Sequence, residues 1–186
     1  MKNIGTQTIE TKRLILRRFR VSDAENMFKN WASDDEVTRF LTWPSHQNVE
    51  DTRALLIEWV AGYEAVDKYE WCIELKEIGE AIGSIGGMNV NEAVNSVEVG
   101  YCISRKYWHQ GIVSEALATV VKFFFNEVDI NRISARHDVN NPNSGKVMLK
   151  CGFTYEGTRR QVDLNNTGIC DVAFYGLLKE DYESLT

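Results

Sequence analysis

The chain has 186 residues, 44% hydrophobic and 26% charged, and its 21 basic against 27 acidic residues give a net charge of −6. At roughly 150 residues per domain this is a single domain, long enough to bury a core without staples. Two prolines and no low-complexity tract exclude a disordered or fibrous chain. The acidic balance argues against direct nucleic-acid binding and suits a cationic partner. No apolar run approaches the ~18 residues that mark a membrane span. Met1–Thr6 lacks the apolar region of a secretory signal, so a cytoplasmic protein with no membrane partner is expected. Cys72, Cys102, Cys151 and Cys170 form no C-x-x-C pair, and His46, His109 and His137 show no ligand spacing. No disulfide framework and no metal site are therefore expected.

Arg13–Phe19 is short, apolar and β-favouring, and predicts an opening strand. Ser22 or Asp23 can cap a helix over 24–31, and a second short helix is predicted over Glu36–Phe40, before the break at Pro44. Asn48 or Asp51 can cap a longer helix, in which Leu55, Leu56, Trp59, Val60 and Tyr63 recur at helical spacing. Strands are predicted over Glu70–Leu75 and Ala81–Val90, with a hairpin loop at Lys76–Glu80 between them. Val97, Val99, Tyr101 and Ile103 alternate with Glu98, Gly100, Cys102 and Ser104, the clearest strand in the chain. Ile112, Ala116, Leu117, Val120, Val121, Phe124 and Phe125 then fall on one helical face. A strand over Asn131–Asp138 follows, then a helix over Ser144–Cys151 stopped by Gly152. Strands near Phe153–Val162 and Ile169–Leu178 are joined by a turn over Asn165-Asn166-Thr167-Gly168. The order is β-α-α-β-β-β-α-β-α-β-β, a single α+β domain around a mixed sheet.

The most informative segment is Tyr107-Trp108-His109-Gln110-Gly111-Ile112-Val113-Ser114-Glu115-Ala116, where a strand, a short glycine-containing loop and an amphipathic helix follow one another. The first turn of a helix carries unpaired N–H groups and the positive dipole end, so it can hold a phosphate or pyrophosphate. Gly111 would let the backbone approach those oxygens closely. The segment is either such an anion site or an ordinary loop and cap. Neither a P-loop nor a dinucleotide fingerprint is present.

At this point the sequence resembles a family, the GCN5-related N-acetyltransferases, in the branch that includes the ribosomal-protein N-terminal acetylases. Four stretches carry the likeness, in order, over about residues 8 to 180. They are Thr11-Lys12-Arg13-Leu14-Ile15-Leu16-Arg17, then Glu98-Val99-Gly100-Tyr101-Cys102-Ile103, then the Tyr107–Ala116 loop-helix. The last is Asn141-Pro142-Asn143-Ser144 leading to Lys150-Cys151-Gly152-Phe153 and Glu156-Gly157. The resemblance implies a central, mostly antiparallel twisted sheet flanked by helices, and acetyl-CoA as co-substrate.

By the same resemblance, the backbone of His109, Gln110, Gly111, Ile112, Val113 and Ser114 would cradle the pyrophosphate. Trp108 takes the family's Gln/Arg position, Val113 its final small position, and His109 a place where the branch often has glycine. Tyr101 and Ile103 lie on the strand that pairs with the pantetheine arm. Asn141 matches the asparagine that contacts that arm, and Ser144 the serine near the thioester sulfur. Lys146 is either a phosphate contact or an exposed helix lysine.

Amide formation from a thioester needs a neutral amine, a polarised carbonyl and a leaving thiolate. An α-amino group of pKa ~8 is roughly one-fifth neutral at about pH 7.4, so a base has modest work to do. Glu98 is the candidate base, against an ion-paired strand glutamate. Ser144 is the candidate acid, against a helix cap, because Met148 stands where many family members carry the acidic tyrosine. Glu115 is expected to support the helix start, and Trp43, beside Pro44, is a candidate acceptor contact.

The expected activity is direct acetyl transfer to a primary amine, the N-terminal α-amine of a protein or peptide. The alternatives are a small amine acceptor (polyamine, amino acid or aminoglycoside) or a non-catalytic acyl-CoA-binding module. A homodimer is the commonest assembly for such a chain.

Overall fold

The computed structural model describes residues 1–185. Its strands are β1 (Ile9–Glu10), β2 (Leu14–Arg17), β3 (Tyr69–Leu75), β4 (Glu80–Asn91), β5 (Ser96–Ile103), β6 (Arg132–Asp138), β7 (Thr154–Asn165) and β8 (Gly168–Leu178). The helices are α1 (Ala24–Met27), α2 (Asp35–Thr38), α3 (Val49–Gly62), α4 (Ile112–Phe123), α5 (Pro142–Lys150) and α6 (Lys179–Leu185). The strands form one sheet in the order β1-β2-β3-β4-β5-β6-β8-β7, and every neighbouring pair is antiparallel except β5 with β6. The expected α+β architecture is present, with the three helices predicted ahead of β3 in place as α1, α2 and α3; β1 and α6 are additions.

Alternation along the strands sends side chains to opposite faces. Val97, Val99 and Ile103 of β5 join Ile82 and Ile85 of β4 beneath α4, whose Ala116, Leu117, Val120 and Val121 are buried against them. The apolar stripe continues past α4 into a wider turn, Phe124–Val128, where Phe124 and Phe125 complete this core. On the opposite face Cys72 and Ala81 pack under Met27, Trp31 and Leu56. A helical layer on each side of the sheet thus follows from period-two and period-3.6 patterning in the same chain.

One buried ionic cluster ties the first helices to the sheet. Arg17 on β2 donates two hydrogen bonds to the Asp23 carboxylate, both 2.8 Å, and one to Glu74 on β3 at 2.6 Å. Its side chain is only 9% exposed, and the Asp23 carboxylate holds the guanidinium charged despite that burial. Asp23 also accepts the Arg20 amide at 2.7 Å, so the turn entering α1 is set by the same carboxylate. Removing one partner of a buried pair leaves the other charge uncompensated. Asp23→Ala is expected to cost ~3–5 kcal/mol in chemical denaturation. A loss below ~1 kcal/mol would mean that the pair does not anchor the helical layer.

Candidate active site

β5 and β6 pair only over Ser96–Val99 and Arg132–Ala135. Beyond these residues β5 stays with β4, up to Ile103 opposite Gly83, while β6 stays with β8, up to Asp138 opposite Val172. The sheet therefore splits into a V. Ser104 donates its N–H to Ile82 of β4, at 2.8 Å. By the two-residue period, Cys102 also faces β4, whereas Tyr101 and Ile103 turn their backbone groups toward the gap. The Ile103 carbonyl takes the Trp108 indole N–H at 3.1 Å. This strand edge can accept an extended ligand as an added strand.

The gap leads to the start of α4. The first bond of that helix runs from Glu115 N–H to the Gly111 carbonyl, at 3.1 Å, so the amides of Ile112, Val113 and Ser114 have no intrahelical partner. Just before them, His109 and Gly111 both have left-handed backbone, with φ of 60° and 71°. Such alternation turns successive N–H groups toward one point and makes an anion-binding concavity. Position 109 thus favours glycine, and histidine occupies it here against a steric cost of ~1–2 kcal/mol.

Glu115 does not point into this concavity. It accepts hydrogen bonds from the Thr11 hydroxyl and from the Arg13 amide (3.0 Å) and guanidinium (2.7 Å). Arg13 also reaches the Gln110 carbonyl at 3.0 Å. The Thr11–Arg13 stretch therefore fastens the N-terminal strands to the α4 entrance, a long-range role that spacing alone does not reveal. Desolvation would raise the Glu115 carboxyl, but its three donors together outweigh this and hold it below the usual range.

A cavity of about 320 Å³ joins the gap, the α4 entrance and the first turns of α5. Tyr101, Ile103, His109, Gly111, Ile112, Val113, Ser114, Asn141 and Ser144 all line it, so nine of the sequence-derived site residues meet in one place. Gln110 and Glu98 are not on its lining; the Gln110 side chain bonds back to the Lys106 carbonyl at 2.8 Å. Lys146 and Lys150 do line the cavity, and no aspartate or glutamate does, within a chain of net charge −6. That local inversion of sign favours an anionic ligand.

α5 begins at Pro142 with Asn141 as its cap residue, and neither Asn141 nor Ser144 caps it through its side chain. Ser144 instead meets Tyr101: the phenol oxygen is 3.0 Å from both the Ser144 hydroxyl and its carbonyl. This contact depends on Gly145, where an added Cβ would come within 2.5 Å of His137 Nε2 and 2.7 Å of the Tyr175 hydroxyl. Any larger residue there would have to displace the His137 and Tyr175 side chains for α5 to keep its place on the sheet. Burial pushes the Tyr101 hydroxyl well above its ordinary range, so it stays a neutral hydrogen-bonding group. Met148 is 1% exposed and belongs to the core. Cys102 faces the cavity, but burial raises its thiol to about 11, which leaves little nucleophilic thiolate near neutral pH.

A second cavity of about 150 Å³ lies across the sheet, and Phe40 and Leu41 line both cavities. Its polar lining includes Arg136, Asp138 and Asp163. Next to it on β5, Glu98 accepts from Arg136 at 2.8 Å and from Asn89 at 3.3 Å, and Arg136 also pairs with Asp163 at 2.9 Å. Two carboxylates, Glu98 and Asp163, thus pair with one guanidinium, and Asp138 adds a third carboxylate to this side, whereas no carboxylate lines the first cavity. Asp138 and Asp163 escaped the sequence reading because only the pairing of β6, β7 and β8 brings them together. Among the described residues, no group of three or more His, Cys, Asp or Glu is placed to hold a metal ion. Nor is any described helix long and apolar enough to cross a membrane.

The Glu115 latch has a pH signature. A carboxyl held below its unfolded value of ~4.3 contributes stability above that value and loses it as pH falls through the depressed folded value. Glu115→Gln is expected to cost ~1.5–3 kcal/mol at pH 7, with the difference from wild type closing below about pH 4. A pH-independent difference would contradict the ionised latch.

The model of the family described as an acetyltransferase (GNAT) domain matches residues 13–154. The uncharacterized N-acetyltransferase YoaA of Bacillus subtilis is 33% identical over 171 residues, covering 92% of this chain and 96% of its own length. The ribosomal-protein-serine acetyltransferase of Escherichia coli is 29% identical over 136 residues, 73% of this chain and 75% of that protein. A solved GNAT-family acetyltransferase from Bacillus anthracis superposes with a TM-score of 0.83 at 25% identity, over 94% of this chain and 99% of its own. The chain therefore belongs to the GNAT family and is an N-acetyltransferase.

Proposed function

We propose that the chain transfers the acetyl group of acetyl-CoA directly to a primary amine, the N-terminal α-amine of a protein or peptide. The observation that carries this reading is the opposition of charge across the sheet. A lysine-lined cavity faces one way and a carboxylate-rich one the other, with Phe40 and Leu41 between them. An anionic acyl donor and a cationic acceptor fit that pair. Relatedness to a ribosomal-protein-serine acetyltransferase supports a protein N-terminus as the acceptor.

When bound, acetyl-CoA supplies an acyl group already activated as a thioester. The amides of Ile112, Val113 and Ser114, presented by the turn at His109 and Gly111, hold the pyrophosphate, with Lys146 and Lys150 adding charge. The outward-facing backbone of Tyr101 and Ile103 pairs with the pantetheine arm, and Asn141 contacts it. The Ser144 hydroxyl, fixed by Tyr101, donates a hydrogen bond to the departing sulfur. Glu98, hydrogen-bonded to Arg136, accepts the ammonium proton through water. Orientation of the two reactants supplies a large share of the rate, since it can be worth roughly 7–11 kcal/mol.

Ser144→Ala is expected to lower kcat by about 10²-fold while acetyl-CoA affinity stays within about twofold. Thiol release with peptides bearing N-terminal serine or alanine, alongside spermidine, measures this, and an unchanged kcat removes Ser144 from the chemistry. Turnover of spermidine alone would move the acceptor to a small polyamine. Gly111→Asp is expected to weaken acetyl-CoA at least about tenfold by setting a charge against the phosphates, a change of about 1.4 kcal/mol. Normal affinity would place the anion site elsewhere.

A further inference from the structure

The partition between the two cavities is a short irregular segment, 38–43, which follows the last residue of α2. Phe40 and Leu41 on this segment line both cavities. Its start is bonded to the Asp34 carbonyl through the Thr38 N–H and hydroxyl, and Trp43 packs on the core beneath it; across the cavity it is tied down from the β7–β8 turn by Asn166. Asn166 donates from Nδ2 to the carbonyls of Thr38 and Trp43, at 2.8 Å each, and from its amide to the Leu41 carbonyl at 3.2 Å. Within the segment itself Leu41 N–H donates to the Thr38 carbonyl at 2.7 Å, and the Arg39 guanidinium lies 5.3 Å from the Phe40 ring centre. The neighbouring Asn165 donates to Asp138 of β6 at 2.7 Å, so the turn bridges segment 38–43 to β6 across the second cavity.

We propose that Asn166 is a specificity-determining positioning residue, which clamps segment 38–43 so that Phe40 and Leu41 form a fixed wall between donor and acceptor. The inference rests on the transfer reading above and deepens it. An asparagine suits the task because two amide hydrogens diverge to two carbonyls while the main chain serves the third. An aspartate of the same size has only acceptor atoms and cannot make the side-chain bonds. With the wall fixed, the acidic cavity admits a primary α-ammonium whose first side chain is small, and water is kept from the thioester. With the wall released, bulkier amines and water both gain access.

The test compares the wild-type protein with Asn166→Ala and Asn166→Asp; the second keeps the size of the turn residue and its backbone bond to Leu41. Hydrogen exchange of the 38–43 amides is expected to accelerate at least about tenfold in both variants. Thiol release from acetyl-CoA with no amine present, which reports hydrolysis to acetate and free CoA, is expected to rise about three- to tenfold. With an N-terminal-serine tetrapeptide as probe, KM is expected to rise about tenfold with kcat changed less than about threefold. Preference for that peptide over one with an N-terminal proline, a bulkier cyclic secondary amine, is expected to narrow.

Unchanged exchange at 38–43 would overturn the clamp. Accelerated exchange with unchanged hydrolysis would overturn its role as a wall, and so would an Asn166→Asp protein that behaves as wild type. If the wild-type protein acetylates no probe amine, the transfer reading fails separately, because exchange and hydrolysis still decide the clamp.

Discussion

The site depends on a short stretch of parallel pairing. β5 and β6 are held together over four residue pairs and then follow different partners, so the sheet opens with unpaired backbone along one edge. Unpaired backbone inside a protein is costly unless something satisfies it, and an extended ligand does so. The rest of the site is arranged around that opening. α4 aims free amides at one end of it, α5 brings Ser144 to Tyr101 at its middle, and β7–β8 closes the far side with Asn165 and Asn166. A parallel pair in an otherwise antiparallel sheet also requires a crossover, and α4 is that crossover. One topological choice therefore creates both the gap and the helix that faces it.

Electrostatics sorts the two sides. Net charge alone suggests only a cationic partner, but the charge is not evenly spread. Lysines line the first cavity without a carboxylate among them, while Glu98 and Asp163 pair with Arg136 and Asp138 lines the second cavity. A difference in sign of this kind attracts ligands of opposite charge to different places. Glu98 is itself engaged by Arg136 and Asn89.

Much of this was legible in the sequence, and what was not has physical causes. The β5 strand and the α4 helix are strongly periodic, and the loop between them joins a strand end to a helix start, so the pattern marks the place where an anion site or an ordinary cap would lie. The positive φ at His109 explains why glycine is expected there and shows that the loop keeps its shape with a different residue. Local pattern was weaker where long-range contacts decide. Ser144 looked free to cap α5, yet the helix starts two residues earlier and the hydroxyl goes to a strand residue 43 positions away. Glu115 looked like helix-start support, and its partners are Thr11 and Arg13. The second cavity is assembled from segments whose neighbours are set by sheet order, which no local spacing encodes. Two-residue β1 is too short to carry a period at all.

The central claim is that the opening in the sheet, with the α4 amides at its end, binds acetyl-CoA. Calorimetric titration of the purified protein with acetyl-CoA, with ATP as the comparison ligand, tests it most directly. Saturable one-to-one binding of acetyl-CoA with no comparable binding of ATP is the predicted result. Absence of acetyl-CoA binding would contradict the account and leave the loop and α4 entrance as a structural cap alone.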